Sequence, residues 1–195
     1  MHATRDERPY VVALVGSPRL RGNCSFLVDL ALADLERQGA RCEKLMLGEF
    51  DIRPCQGHED CDSRSACPRD DDAAAVIEKA YAADALLLAT PVYYEDVSAQ
   101  MKLFIDRNVF FNYHDRRLDP KVVGYVAVAA ETGLQETIAA LKRFVALSCG
   151  AAVRSFELTG FADKAGDAAA NAPLVAEAHR FAEQLGAALR EAPDS

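Results

Sequence analysis

Residues 11–33 read VVALVGSPRLRGNCSFLVDLALA and decide the fold of this chain. The apolar run that ends at Val15 has the composition of a buried β-strand, and it stops at Gly16. A short polar loop follows, and helical periodicity begins at Asn23–Ser25. The stretch therefore predicts a strand, a tight loop and a helix in direct succession.

The loop between this strand and this helix has features of an anion site. Gly16 and Gly22 allow close backbone approach, the helix start offers unpaired N–H groups, and Arg19 and Arg21 add positive charge. Five residues separate the two glycines and Asn23 follows, so neither G-x-x-x-x-G-K-[ST] nor G-x-G-x-x-G fits. The loop by itself indicates a mononucleotide or another phosphate monoester, or else an ordinary strand-to-helix turn.

Composition narrows the class of protein. The chain has 195 residues, of which 50% are hydrophobic and 27% charged, as expected for one globular domain. A net charge of -8 argues against nonspecific binding to nucleic acid or to anionic membranes. The start MHATRDERP lacks the apolar core of a signal peptide, and no apolar run reaches membrane-spanning length. We therefore expect a cytoplasmic protein whose six cysteines are reduced.

Strands alternate with helices along the whole chain. Residues 1–9 read as a polar tail and 10–191 as a single domain, with a long Cys-rich loop at 48–70. The pattern predicts a doubly wound α/β fold, in which a five-stranded parallel sheet of order 2-1-3-4-5 carries helices on both faces. Ligands of such sheets bind at the carboxyl ends of the strands, so the loops at 16–24, 91–97 and 131–133 should converge. Beyond 10–15, the predicted strands are 41–47, 84–90, 121–130 and 153–158. The predicted helices are 25–38, one that follows Asp70–Asp72 and ends near 82, one capped by Ser98, one starting at 134, and 173–190.

Three segments together resemble a known family. GSPRLRGNCS at 16–25, TPVYYEDVSAQMKLFIDR at 90–107 and AAETGLQETIAAL at 129–141 are similar to the phosphate loop, flavin-ring segment and third loop of the flavodoxin-like NADPH-dependent FMN reductase family. The Cys-rich loop resembles that of its iron-sulfur flavoprotein branch, and the match runs from Tyr10 to Leu158. The resemblance implies a flavodoxin-like fold and bound FMN.

The resemblance also implies which residues contact FMN. Cys24 stands where the family usually has Thr, so a weak thiol donor replaces a hydroxyl. Three groups of residues would surround the cofactor: Ser17, Arg19, Asn23, Cys24 and Ser25 at the phosphate; Pro91, Val92, Tyr93 and Tyr94 along the isoalloxazine ring; and Glu131, Thr132 and Gly133 on the other side. For Tyr93 and Tyr94, packing in the core at a strand end is the competing interpretation.

The Cys-rich loop contains four candidate metal ligands. Residues 54–68 read PCQGHEDCDSRSACP, which places Cys55, His58, Cys61 and Cys67 at the spacing C-x₂-H-x₂-C-x₅-C. The iron-sulfur flavoproteins have a C-x₂-C-x₂-C-x₅-C-like run here, so His replaces the second cysteine. Three interpretations remain open: a 4Fe–4S cluster with Cys₃His ligation, a Cys₃His zinc site, or free thiols after loss of the cluster.

Under the leading hypothesis, the chain is an FMN-dependent oxidoreductase that passes electrons from NAD(P)H to a small-molecule or protein acceptor. The alternative is an iron-sulfur flavoprotein that carries electrons to or from a ferredoxin-like partner, and a third is a regulatory or scaffold protein without flavin. No side chain is assigned as a general acid or base. The resemblance also implies a homodimer or homotetramer.

Overall fold

A computed structural model describes residues 6–149 and 152–192 of the chain. Its five strands pair in parallel in the order β2-β1-β3-β4-β5, which confirms the predicted sheet. The strands are β1 Tyr10–Val15, β2 Arg41–Met46, β3 Ala85–Pro91, β4 Val122–Ala129 and β5 Arg154–Phe161.

Helices cover both faces of the sheet. One face packs against α1 and α7, and the other against α2, α3, α4 and α5, so the core is divided into two layers. The helices are α1 Asn23–Arg37, α2 Ala73–Tyr81, α3 Ala99–Arg107, α4 Val109–Tyr113, α5 Leu134–Ser148, α6 Asp167–Ala170 and α7 Ala172–Glu191. In the part of the chain that the structure describes, no helix is long and apolar enough to cross a membrane.

The burial of each strand follows from its position in the sheet. The central strands β1 and β4 are buried along their whole length, as their continuous apolar sequences predict, and β3 is buried up to Thr90. The edge strands β2 and β5 are partly exposed. Packing is close at Gly124 of β4, where a Cβ atom would lie 2.6 Å from the Phe181 ring of α7. Helix α7 therefore lies too close to β4 for a side chain at position 124.

Short elements differ from the sequence-based prediction. The aromatic segment after α3 forms the five-residue helix α4, and α6 precedes the last helix. Helix α2 begins at Ala73, directly after the Asp run as expected, and the Asp71 carboxylate accepts a hydrogen bond from the Ala73 N–H at 3.2 Å. Elements of four or five residues are too short to show a period of 3.6, so the sequence pattern does not reveal them.

Candidate ligand-binding site

The predicted loops meet at the carboxyl edge of the sheet. The Gly16 N–H donates to the Ala89 carbonyl at 2.8 Å, and the Val92 N–H donates to the Val128 carbonyl at 2.8 Å. These bonds join the loops that follow β1, β3 and β4. The segment after β5 joins them as well, since the Ala162 N–H donates to a carbonyl at the end of β4 at 2.9 Å. Four loops therefore form one surface, of which the sequence predicted three.

Buried Ser98 fixes the first of these loops against the second. Its hydroxyl donates to the Gly16 carbonyl and accepts from the Met101 N–H at 3.2 Å, which caps α3. The Ser98 N–H donates to Thr90 Oγ1 at 3.0 Å, and that hydroxyl donates to the Pro91 carbonyl at 2.9 Å. At Gly16 a Cβ atom would lie 2.7 Å from the Met101 Cβ, so the loop passes directly against the start of α3.

The start of α1 leaves its backbone donors free for a ligand. Gly22 is the N-cap and provides no side-chain acceptor, so no side chain caps the first N–H groups of a fifteen-residue helix. A cavity of about 120 Å³ opens at this helix start. N–H groups and the positive end of the helix dipole favour an anion there. The lining residues are Ser17, Arg19, Gly22, Asn23, Cys24, Pro91, Val92, Tyr93, Val128, Ala130, Ala162 and Asp163.

Ser17 and Arg19 shape the loop at the rim of this cavity. Ser17 Oγ accepts from the Arg19 N–H at 3.1 Å, and the Arg19 carbonyl accepts from the Gly22 N–H at 3.0 Å. The exposed Arg19 guanidinium reaches the Asp163 carbonyl at 3.4 Å. It therefore lies on the open side of the cavity with its charge available to a bound anion.

The other three predicted phosphate residues have different surroundings. Both polar atoms of the Asn23 amide are used, since Nδ2 donates to the Lys164 carbonyl at 2.9 Å and Oδ1 accepts from the Ala168 N–H at 3.2 Å. Ser25 does not line the cavity, and its hydroxyl accepts from Lys44 Nζ at 3.0 Å. At these two positions only the backbone N–H is left for a ligand.

Cys24 lines the cavity but also belongs to the core between α1 and the sheet. Its side chain is buried, and burial raises the pKa of its thiol to about 12, so the group stays neutral at physiological pH. A neutral thiol does not repel an anion. It is also a weaker hydrogen-bond donor than the hydroxyl that the family resemblance led us to expect.

A second, open groove of about 490 Å³ continues from the cavity. The two share Val92 and Ala130, so a ligand can extend from the helix start across the sheet edge. The groove is lined by Val92, Tyr94, Glu95, Ala130, Glu131 and Thr132. Of the residues predicted for the far side, Glu131 and Thr132 line the groove. Gly133 packs against the hairpin instead: its φ is +85°, and a Cβ atom there would lie 2.7 Å from the Glu95 Cα, so the position has no room for a side chain.

The segment predicted to run along the flavin ring is a tight hairpin. The N–H groups of Tyr93 and Asp96 each donate to the carbonyl of the other, at 3.0 and 3.1 Å. Between them Tyr94 and Glu95 have φ values of 51° and 60°, which non-glycine residues rarely adopt. Tyr94 is fully exposed and Tyr93 is 44% exposed. Neither tyrosine is packed in the core, which excludes the competing interpretation.

The Cys-rich loop brings its three thiols into one region. Cys61 is buried, Cys67 is half-buried and Cys55 is exposed. Burial raises the pKa of the Cys61 thiol, and the neighbouring Cys55 and Cys67 sulfurs raise it further. Cys55 Sγ accepts from the Gly57 N–H at 3.4 Å. Among the described residues, however, no group of three or more His, Cys, Asp or Glu side chains is arranged to hold a metal ion.

A buried ion pair that the sequence did not indicate holds this loop to the domain. The Arg107 side chain is 4% exposed and pairs with Asp71, whose side chain is fully buried. Arg107 also donates to the Arg53 carbonyl at 2.9 Å and to Cys67 Sγ at 3.4 Å. Burial alone would raise the pKa of the Asp71 carboxyl, but hydrogen bonds from Arg107 and from two backbone N–H groups lower it below its usual value. The position of Cys67 therefore depends on α3.

Comparison with known proteins identifies relatives. Residues 9–160 match the family model for NADPH-dependent FMN reductase. An iron-sulfur flavoprotein of Archaeoglobus fulgidus is 38% identical over 128 residues, which are 66% of this chain and 58% of that protein. One of Methanocaldococcus jannaschii is also 38% identical over 128 residues, 65% of this chain and 66% of that protein. The chain thus matches less than two thirds of the length of either protein.

A solved structure shows the same fold. It contains RosB with a bound flavin-derived intermediate, 8-demethyl-8-formylriboflavin-5'-phosphate, and superposes with a TM-score of 0.72. The match covers 93% of this chain and 79% of that one, at 15% sequence identity. The likeness supports the sheet order and helix arrangement described above.

Proposed function

The chain belongs to the NADPH-dependent FMN reductase family, and on that basis we propose that it is an FMN-dependent oxidoreductase that uses NAD(P)H to reduce an acceptor. The main support for the proposal is that the cavity at the start of α1 and the groove beside the hairpin are connected at the carboxyl edge of the sheet. An anion cavity at the uncapped start of α1 opens into a groove beside an exposed aromatic hairpin. A phosphate joined by a flexible chain to a planar ring has this shape.

The residues present fit FMN. The free N–H groups of the first turn of α1, the Ser17 hydroxyl and the Arg19 guanidinium would hold the phosphate. Val92 lies where the phosphate cavity meets the groove. Exposed Tyr93 and Tyr94, with the backbone of their hairpin, would contact the faces and polar edge of the ring. The preformed cavity therefore matches the chemistry of each part of the cofactor.

The protein's role in this proposal is binding and orientation. FMN supplies the redox chemistry when bound, since it accepts a hydride and gives up electrons singly or in pairs. Ser98 ties the phosphate loop to the segment that carries the hairpin, and Gly133 lets the third loop approach that hairpin. Cys24 would keep a neutral side chain beside the phosphate. Proton transfer is assigned to no side chain.

The test compares FMN with riboflavin, which lacks the phosphate. FMN should stabilise the protein against heating, by about 2.7 kcal/mol at 100 times its dissociation constant, whereas riboflavin should bind far more weakly. Arg19→Ala should weaken FMN binding roughly tenfold and leave riboflavin binding unchanged. Arg21→Ala is the matched control, because Arg21 is exposed and does not line the cavity. A colourless protein that FMN fails to stabilise would refute the proposal.

The electron donor is tested on the same preparation. Mixing the FMN-loaded protein with NADPH or NADH without oxygen should bleach the flavin absorbance. If neither nicotinamide bleaches it while a chemical reductant does, the NAD(P)H part of the proposal is wrong and FMN binding stands.

We further propose that Cys55, His58, Cys61 and Cys67 bind a 4Fe–4S cluster with Cys₃His ligation, through which the protein would exchange electrons with a ferredoxin-like partner. The shared region of the three thiols and the N–H donors to Cys55 and Cys67 support it, as do relatives described as iron-sulfur flavoproteins. The described residues form no closed site, so a metal would have to draw the loop together.

Metal analysis after anaerobic purification decides between the three interpretations of this loop. Iron and sulfide in equal amounts support the cluster, and about one zinc per chain supports the structural zinc site. His58→Cys should raise the iron content if the loop assembles a cluster, while His179→Cys, which lies on α7 far from the loop, should not. Absence of both metals from both variants would mean that the loop holds free thiols.

A homodimer or homotetramer is also part of the proposal. Val109, Tyr113 and Leu147 are 37%, 58% and 76% exposed on α4 and α5, and Val109 and Leu147 line a groove of about 510 Å³ there. Light scattering should give a multiple of the chain mass, and Leu147→Asp should lower that mass if this face is the interface. A monomeric wild-type protein would contradict it. A cytoplasmic location is likewise proposed, and cell fractionation checks it.

A further inference from the structure

The groove proposed for the flavin ring is negatively charged. Glu95 lines one side of it and Glu131 the other, and the remaining lining residues are uncharged. In the part of the chain that the structure describes, neither carboxylate takes part in an ion pair. Both side chains are exposed, so their charge faces whatever enters the groove from solvent.

The backbone of Glu95 packs across the mouth of the groove. Glu95 lies at the tip of the Tyr93–Asp96 hairpin, and its Oε1 is 3.5 Å from the Thr132 hydroxyl of the opposite loop. The Cα of Glu95 lies so close to Gly133 that a Cβ atom there would be 2.7 Å from it, which sets the hairpin against that loop. The exposed carboxylate therefore starts from a backbone that is fixed beside the proposed ring site.

Charge is distributed unevenly along the whole site. The phosphate end is lined by one cation and one acid, Arg19 and Asp163, whereas the only charged residues that line the open ring end are carboxylates. The net charge of the chain is -8, so the long-range field has the same sign as the ring end. A groove of one sign concentrates reactants of the opposite sign and changes association rates by about 10- to 1000-fold at low ionic strength. In the proposed binding mode the FMN phosphate lies at the other end of the site, and the two carboxylates line the groove in which a reactant would meet the ring.

We propose that Glu95 and Glu131 select the redox partner that enters the ring groove by its charge, and favour cationic or uncharged compounds over anionic ones. The inference rests on the proposed function, because it concerns reactants of bound FMN. It also predicts that NADH, with two negative charges, reacts faster than NADPH, with its additional phosphate.

Two one-electron acceptors of opposite charge test the proposal. Hexaammineruthenium(III) is cationic and ferricyanide is anionic, and two molecules of either take the two electrons of one fully reduced FMN while its two protons pass to solvent. Protein reduced with one equivalent of dithionite is mixed with each acceptor in a stopped-flow instrument. For each protein, the rate with the cation is divided by the rate with the anion. At low salt this ratio should be about tenfold or more higher for the wild type than for the double variant Glu95→Gln with Glu131→Gln. The difference should vanish at high salt.

A second readout does not depend on turnover. Hexaamminecobalt(III) has the same charge but is redox-inert here, and its binding to the FMN-free protein is measured by calorimetry. The double variant should bind it several-fold more weakly than the wild type. Glu183→Gln, an exposed site on α7, is the control for a change in net charge and should alter neither measurement.

The outcomes separate this inference from the proposed function. If FMN does not bind, the proposed function fails before any acceptor is tested. If FMN binds and is reduced, but the double variant has the selectivity and cobalt affinity of the wild type, the inference is wrong and the proposed function stands. Equal effects of Glu183→Gln and the double variant would also overturn it, because net charge and not the groove would then be responsible.

Discussion

Replacing Ser98 by alanine tests whether one buried hydroxyl joins the phosphate loop to the ring hairpin. The variant loses the N-cap of α3, which costs about 1 kcal/mol. It also leaves the buried Gly16 carbonyl without the Ser98 donor, which adds about 1–3 kcal/mol. The expected total is about 2–4 kcal/mol, because the bond from the Ser98 N–H to Thr90 is kept. In a domain of this size the melting temperature should fall by roughly 4–16 °C.

The matched control is Asn171→Ala. Asn171 caps α7 in the same way, with its Oδ1 accepting from the Leu174 N–H at 3.1 Å, but it does not contact the site loops. Urea unfolding at pH 7 should give a loss of about 1 kcal/mol for this variant. FMN affinity should also fall in Ser98→Ala and remain unchanged in the control. Equal destabilisation by the two substitutions, within about 0.5 kcal/mol, would refute the coupling of the two loops.

Three further predictions concern the core, the Cys-rich loop and the phosphate cavity. Gly124→Ala should cost about 1–3 kcal/mol in urea unfolding because the added methyl group meets the Phe181 ring, whereas a methyl group at Gly48 meets nothing closer than 3.9 Å and Gly48→Ala should change stability little. Arg107→Ala should lower the free energy of unfolding by about 3–5 kcal/mol, because Asp71 would remain buried and unpaired. The folded-state pKa of Asp71 is depressed, so the stability it contributes is complete above the unfolded pKa of about 3.9 and is lost as pH falls through the lower folded value. Acid unfolding curves of the Asp71→Asn protein should lack this loss. Cys24→Ser should change FMN affinity less than Arg19→Ala does in a fluorescence titration, since the thiol is neutral and partly in the core, and a larger effect would show that this side chain contacts the phosphate directly.

The parts of the site that are local in sequence could be predicted. The apolar run before Gly16, the helix that begins near Asn23 and the helix start at Ser98 are each visible within a few residues. The expectation of a side-chain cap from Asn23 or Ser25 is wrong, because Gly22 is the N-cap. Alternation of such units also predicts a parallel sheet, and the carboxyl edge of that sheet gathers the loops. For this reason the loop positions in the fold agree with the expectation even where helix ends differ by two or three residues.

Side-chain roles within those loops could not be predicted, because their partners are distant in sequence. The Asn23 amide bonds to the carbonyl of Lys164, 141 residues later, and the Ser25 hydroxyl bonds to Lys44 on β2. Glu95 resembles any exposed acid in the sequence, and only the approach of Gly133 places it beside the ring groove. Which way a polar side chain points depends on which neighbour satisfies its hydrogen bonds after the segments have packed.

The sequence by itself therefore determined the strand–loop–helix unit at 10–37, the five-stranded sheet and the edge at which the loops of the candidate site meet. Hydrophobic periodicity and backbone donors are properties of short segments, so they can be recognised before folding. Only the tertiary structure decided which side chains face the cavity, that Arg107 and Asp71 anchor the Cys-rich loop, and that the ring end of the site is acidic. Those features arise from contacts between distant segments, whose geometry is fixed only when the sheet and its helices are packed.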